Sequence, residues 1–202
     1  EHISIPITDK LTKRWGITAD QLYQDTIKVQ AAWNQPLLAD LLEMGAYLNG
    51  GTRPDNLLSA DKIDDTGLYV LTNYKLYNGA AMIAHDEMAQ KIGNLLQMDY
   101  YILPSTVHEL LVYPDNGVIS ITQLQEMVKS VNATDVLPKD RLSDKVLFYN
   151  QQERRLELAT EREEYFEDKT EDTQEKKELA EGKDKSESEK KEDKSLKFSI
   201  RL

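Results

Sequence analysis

The side chains best suited to proton or metal chemistry stand close together in the run ILPSTVHELLVYPDNG, residues 102–117. Ser105 and His108 lie three positions apart, and Glu109 or Asp115 could complete a set of nucleophile, base and orienting acid. Such a triad needs the base within hydrogen-bond reach of the hydroxyl and an oxyanion hole beside it. Pro104-Ser105-Thr106 is not the G-x-S-x-G elbow of a hydrolase, and no nearby glycine lets a substrate approach the backbone. The plainer expectation is a tight turn whose Ser105 or Thr106 hydroxyl satisfies free backbone groups. Ser105 and His108 remain the catalytic candidates.

A metal centre is the second chemistry to weigh. His85-Asp86-Glu87 and His108-Glu109 offer the nitrogen and oxygen ligands of a two-histidine, one-carboxylate site. The pair His108-Glu109 does not open an H-E-x-x-H helix, because residue 112 is Val. Asp86 and Glu87 suit the first turn of a helix, where they complement its dipole. Residues 107–113 read as a strand, so alternation sends His108 with Leu110 and Val112, and Glu109 to the opposite face. The two cannot then serve one site, and neither a metal nor a cofactor is expected.

The elements that must position these residues follow from periodicity and turn chemistry. Ile3, Ile5 and Ile7 alternate as in a strand, and Thr8–Trp15 suits a short helix stopped by Gly16. Thr18-Ala19-Asp20-Gln21 is a capping box opening a helix to about Trp33, with Leu22, Thr26, Val29 and Trp33 on one face. Leu37–Leu48 reads as a second helix. LYVLTN (68–73) and AAMIA (80–84) read as a hairpin around Asn78-Gly79. Met88, Ile92, Leu95 and Leu96 have helical spacing. DYYILP (99–104) and VHELLVY (107–113) form two more strands. Ser120-Ile121-Thr122-Gln123 caps a helix with Leu124, Met127, Val128 and Val131 as its buried stripe, and KVLFYN and RLELA close with a hairpin. The fold class is α+β, a mainly antiparallel sheet built from hairpins with helices packed on one face.

Composition limits what this domain does. The 202 residues include 25 Lys+Arg and 36 Asp+Glu, a net charge of −11. An acidic chain without a basic patch repels phosphate, so no nucleic-acid partner is expected. With no cysteine, disulfides, iron–sulfur clusters and thiol catalysis are excluded. No apolar run approaches the roughly 20 residues that cross a bilayer, so no membrane role and a cytoplasmic setting are expected. The opening EHISIPITDK has neither an initiator Met nor a signal-peptide pattern, and reads as the start of a fragment. From residue 160 apolar residues nearly vanish, so 160–194 is expected to be a disordered charged tail after a domain of residues 1–159. Residues 195–202 differ: Leu196, Phe198, Ile200 and Leu202 alternate with polar positions, a strand-like segment that could dock on a partner's sheet edge.

Weaker signals have plainer readings. The glycines of GAYLNGG follow a helix instead of opening one, against phosphate binding. Asn132-Ala133-Thr134 matches a glycosylation sequon but suits local turn chemistry. The tyrosines concentrated on the strands suit core-edge packing or a protein-binding face.

The ordered pieces Tyr69-Val70-Leu71-Thr72-Asn73, Gly79-Ala80-Ala81, Ile102-Leu103-Pro104-Ser105, His108-Glu109, Val131-Asn132-Ala133-Thr134 and Leu142-Ser143-Asp144 carry a resemblance. Together with KLTKRWGIT upstream, they are similar to a domain-of-unknown-function family of gut Firmicutes proteins often encoded near mobile elements. The resemblance spans residues 1–159, implies a shared fold and a further N-terminal half in family members, and brings no activity, substrate or cofactor. The expectation is therefore a non-enzymatic protein-interaction or regulatory module with a protein partner. The alternative is a hydrolase or metal-dependent enzyme using Ser105 and His108.

Overall fold

The computed structural model describes residues 5–85 and 87–160, without the side chains of 30–33. The expectations for the tail and for Leu196, Phe198, Ile200 and Leu202 lie outside the described residues. By its packing the chain divides into residues 1–159 and 160–202. In chain order the elements are α1 (Asp9–Trp15), α2 (Ala19–Trp33), β1 (Pro36–Asp40), α3 (Leu41–Leu48), β2 (Tyr69–Asn73), α4 (Met88–Leu96), β3 (Tyr100–Leu103), β4 (Leu110–Pro114), α5 (Ile121–Thr134), β5 (Leu147–Asn150) and β6 (Arg155–Leu158). Short 3-10 turns occupy Leu57–Ser59 and Gly79–Ala84. The six strands form one antiparallel sheet in the order β1-β2-β4-β3-β5-β6. The class is α+β, as expected. Among the described residues no helix is long and apolar enough to cross a membrane.

Helices cover both faces of the sheet, not one. Tyr69, Leu71, Tyr100, Ile102, Leu110, Val112 and Tyr149 pack with Met88, Ile92, Leu95 and Leu96 of α4. Their strand neighbours Tyr101, Leu103 and Phe148 pack with Leu124 and Val128 of α5. Leu37, Ala39 and Val70 pack with Met44 of α3. Strands buried on both faces read as continuous apolar runs, and YYIL of β3 is such a run.

Several expected elements change. Residues 5–8 carry no strand, and Ile5 is 72% exposed. Leu37–Asp40 is strand, not the first turn of a helix, and Leu37, Leu38 and Ala39 are fully buried. A short apolar run does not distinguish the two by periodicity. Asp40 then ends the strand and caps α3, its carboxylate accepting from Leu42 N and Glu43 N. Residues 80–84 form a 3-10 turn, so no hairpin follows β2. The strand expected at 107–113 begins only at Leu110. On α5 the Ser120–Gln123 capping box forms, but Met127 and Val131 are 44% and 40% exposed. The buried stripe is Leu124, Val128 and Asn132. On α2, Thr18 Oγ1 accepts Gln21 N at 3.1 Å as a cap, yet Thr26 and Val29 face solvent.

The outer edge of β1 is blocked in its first half by a side chain. Tyr74 N bonds Gln35 O, and in the β1–β2 register this turns the backbone groups of Pro36 and Leu38 outward. Asn56 takes the place of a neighbouring strand there: Leu38 N donates to its Oδ1 at 3.2 Å, and its Nδ2 donates to Pro36 O at 2.9 Å. Pro36 has no N–H to leave open.

Three core tyrosines give the domain an alkaline limit. Burial, with Asp64 and Asp40 nearby, pushes the Tyr69 hydroxyl up to about 12. Burial likewise raises Tyr100 and Tyr149, which stack at 5.0 Å. A raised folded-state value means the neutral phenol is favoured by folding, so this stability is intact below pH 10.0, the ordinary tyrosine value, and is lost as pH rises through about 12. Absorbance of tyrosinate, followed with circular dichroism, should show these groups ionising together with unfolding; their release from a domain still folded would contradict the burial.

Candidate functional site

The loop between β3 and β4 carries the candidate residues and is held from two sides. On one side Leu142 N bonds Ser105 O at 3.3 Å, Ser143 N bonds Pro104 O at 3.1 Å, and Val107 N bonds Asp140 O at 2.9 Å. Thr106 and Arg141 form an isolated antiparallel bridge. On the other side His108 O accepts two donors, Gly79 N at 3.0 Å and Thr72 Oγ1 at 2.9 Å. Ala80 N bonds Val107 O at 3.2 Å. Three segments remote in sequence, 72–80, 104–109 and 140–143, are thus tied through one loop.

Asn78 and Gly79 make this approach possible in different ways. Asn78 adopts φ +52°, a left-handed conformation that asparagine tolerates. Gly79 is needed for space: a Cβ there would strike Thr72 Oγ1 and stand 2.5 Å from His108 O. The preceding turn is fixed by Asn73, whose Nδ2 donates to Tyr77 O at 2.9 Å and whose Oδ1 accepts Lys75 N at 3.0 Å.

The imidazole of His108 has neighbours at both nitrogens. Nδ1 accepts the Asn78 N–H at 3.2 Å, which puts the proton of the neutral ring on Nε2. Nε2 lies 3.6 Å from Asp140 Oδ1, with the side chains 27% and 23% exposed. The Tyr77 ring packs at 5.2 Å between centroids. Thr106 Oγ1 donates to Glu109 Oε1 at 2.8 Å and accepts His108 N and Glu109 N. Thr106, not Ser105, is the hydroxyl that organises the turn.

The candidates therefore separate. Ser105 is 7% exposed, a buried loop residue. A base for its hydroxyl needs an open imidazole lone pair, and the Nδ1 lone pair of His108 is taken by Asn78. His108 and Glu109 do go to different partners, although the reason is an irregular loop and not strand alternation. His85 lies apart, beside Glu87, Gln90, Lys91 and Asn94 in a cavity of about 380 Å³. Its Nε2 is buried and has no hydrogen-bond partner among the described residues. Asp86 lies outside the described residues. Among the described residues no group of three or more His, Asp or Glu is placed to hold a metal ion.

The residues missed by sequence reasoning are the partners of His108. Asn78-Gly79 was visible as a turn dipeptide, but its contact with His108 was not; Asp140 carries no spacing signal at all. The sequon asparagine is likewise structural: Asn132 is 3% exposed, and its Nδ2 donates to Ser143 O at 3.0 Å and Asp144 Oδ1 at 2.6 Å. Residues from four pieces of the sequence resemblance, Thr72, Gly79-Ala80, Pro104-Ser105 with His108, and Leu142-Ser143, thus meet around one junction.

A family model, described as a family of unknown function (DUF5688), matches residues 1–151. No curated protein and no solved structure matches the chain.

Proposed function

We propose, from the premise that the chain belongs to the family of unknown function DUF5688, that it is a non-enzymatic protein-interaction or regulatory module. The observation that carries this is the surface of α1 and α2. None of their described side chains is buried. Yet they display Trp15, Tyr23 and Val29 at 52%, 50% and 56% exposure, next to Ile5 and Ile7. Exposed aromatic and branched side chains on two helices that bury none of their described residues suit a surface that a partner covers. Helices as short as these are marginal in water without packing, so contact with a partner would also stabilise them. The tying of His108 into a backbone junction favours this over hydrolysis or metal chemistry at Ser105 and His108. The alternating segment Leu196, Phe198, Ile200 and Leu202 belongs to the same proposal, as a peptide that adds to a partner's sheet edge. A cytoplasmic setting and the mobile-element context implied by the resemblance complete it.

The test is capture of partners from host extract by the intact chain, by Trp15→Ala/Tyr23→Ala, and by a chain lacking residues 195–202. Loss of the same partner with the first variant supports the helical face, and loss with the second supports the peptide. Equal recovery with all three overturns the reading. A hydrolytic turnover abolished by His108→Ala, in a protein that stays folded, would replace it with the enzymatic one.

A further inference from the structure

The two edges of the sheet differ, and the difference points to a partner for the open one. At β6, Ala159 N bonds Val146 O, and the β5–β6 register pairs Phe148 with Glu157 and Asn150 with Arg155. Antiparallel pairing alternates, so residues 155, 157 and 159 turn their backbone groups toward β5. The N–H and C=O groups of Leu156 and Leu158 therefore face outward. Among the described residues nothing bonds to them, whereas on β1 Asn56 occupies the outward Leu38 N and Pro36 O.

The side chains of β6 are self-complementary. Arg155 and Glu157 are two positions apart and share one face, where their charged groups meet. Arg155 also reaches Glu153 at 3.1 Å, and its side chain is 63% exposed. Leu156 is on the other face, opposite Tyr149, and is 36% exposed.

We propose that β6 pairs antiparallel with β6 of a second copy of this chain, about a two-fold axis through Leu156. Only outward-facing residues can exchange hydrogen bonds, and Leu156 against Leu156 meets that condition. The same register sets Arg155 directly opposite Glu157 of the second copy, twice over. Sliding by two residues either way would oppose Glu157 to Glu157 or Arg155 to Arg155, and like charges directly opposite oppose pairing. Charge thus disfavours the two neighbouring registers that the backbone alone would allow. The two Leu156 side chains meet beside Tyr149, extending the apolar face that α4 covers in each copy. The result is one continuous sheet from two six-stranded halves. This dimer does not depend on the target-binding reading above and stands or falls separately.

Sedimentation equilibrium of the full chain should show a monomer–dimer equilibrium. Leu156→Pro removes an outward N–H and leaves every β5–β6 hydrogen bond in place, as proline does on an edge strand. It should be monomeric with an unchanged circular dichroism spectrum. Arg155→Glu, which sets two like pairs in opposition, should weaken the dimer by about tenfold or more. Arg155→Glu/Glu157→Arg should restore it. A wild-type chain that stays monomeric at every soluble concentration overturns the proposal. So does a dimer that survives Leu156→Pro, or a double exchange that fails to restore pairing.

Discussion

Alanine at position 79 is expected to destabilise the domain by about 2–3 kcal/mol, a large loss for one methyl group. The added Cβ would meet Thr72 Oγ1, stand 2.5 Å from His108 O and 2.8 Å from Thr72 Cα. Two of those atoms are backbone, which no rotamer change moves. To admit the methyl, residues 78–80 must withdraw from the β3–β4 loop, stretching the bonds from Gly79 N to His108 O and from Ala80 N to Val107 O. The His108 ring then loses the Asn78 N–H that holds its tautomer. Denaturant unfolding measures the loss as a lower midpoint at unchanged slope. Thr72→Ala offers a check, because it removes one obstacle while costing one hydrogen bond. The double variant should lose less than the sum of the singles. A Gly79→Ala protein as stable as the wild type would mean that the three segments do not meet as described.

The second large effect is expected at Asn56. Asn56→Ala should cost about 2–3 kcal/mol, because it leaves a buried donor and an acceptor unpaired and removes a turn cap. Its amide serves Leu38 N, Pro36 O and Leu58 N at once, and Leu38 is fully buried. Asn56→Asp separates the contributions: a carboxylate still accepts from both N–H groups but has nothing to donate to Pro36 O. It should therefore fall between wild type and alanine. Hydrogen exchange at the Leu38 amide reads the same event locally, speeding up in Asn56→Ala and much less in Asn56→Asp. Slow exchange in the alanine variant would show that something other than Asn56 protects that edge.

Much of the scaffold is legible in the chain. The cap at Ser120, the stop at Gly16, the helical spacing of Met88, Ile92, Leu95 and Leu96, and the last hairpin all rest on local rules that the tertiary structure obeys. The misreadings share a cause, which is contact with residues far away in the chain. Leu37-Leu38-Ala39 has no periodicity because the strand is covered on both faces. Asn78-Gly79 looks like a hairpin turn because its composition is the same, but the glycine answers to the crowding by Thr72 and His108. Two-sided covering of the sheet was visible in the unbroken apolar run of β3, and weighing that run would have placed helices on both faces.

The candidate site was legible only as a set of residue types. Ser105 and His108 are close in sequence, yet each is engaged with segments about thirty or more positions away, in Asn78, Asp140 and Leu142. Spacing in a loop says little about which way a side chain turns, because no repeat governs it. Thr106 shows the same limit. Its ability to bond three groups at once follows from the local bend, while Ser105 differs from it by one methyl group and one position.

The asparagine that fills the outer edge of β1 has a bearing on how large any assembly of this chain can become. A sheet with two open edges is a building block for filaments, since each copy added presents a fresh edge to the next. Here one end carries a proline and a side-chain amide where the next strand would bond. Growth by edge pairing can then proceed at one end alone, and a single two-fold contact exhausts it. With β6 paired as proposed, Asn56 would act as a terminator and keep edge-to-edge association of this chain finite in number.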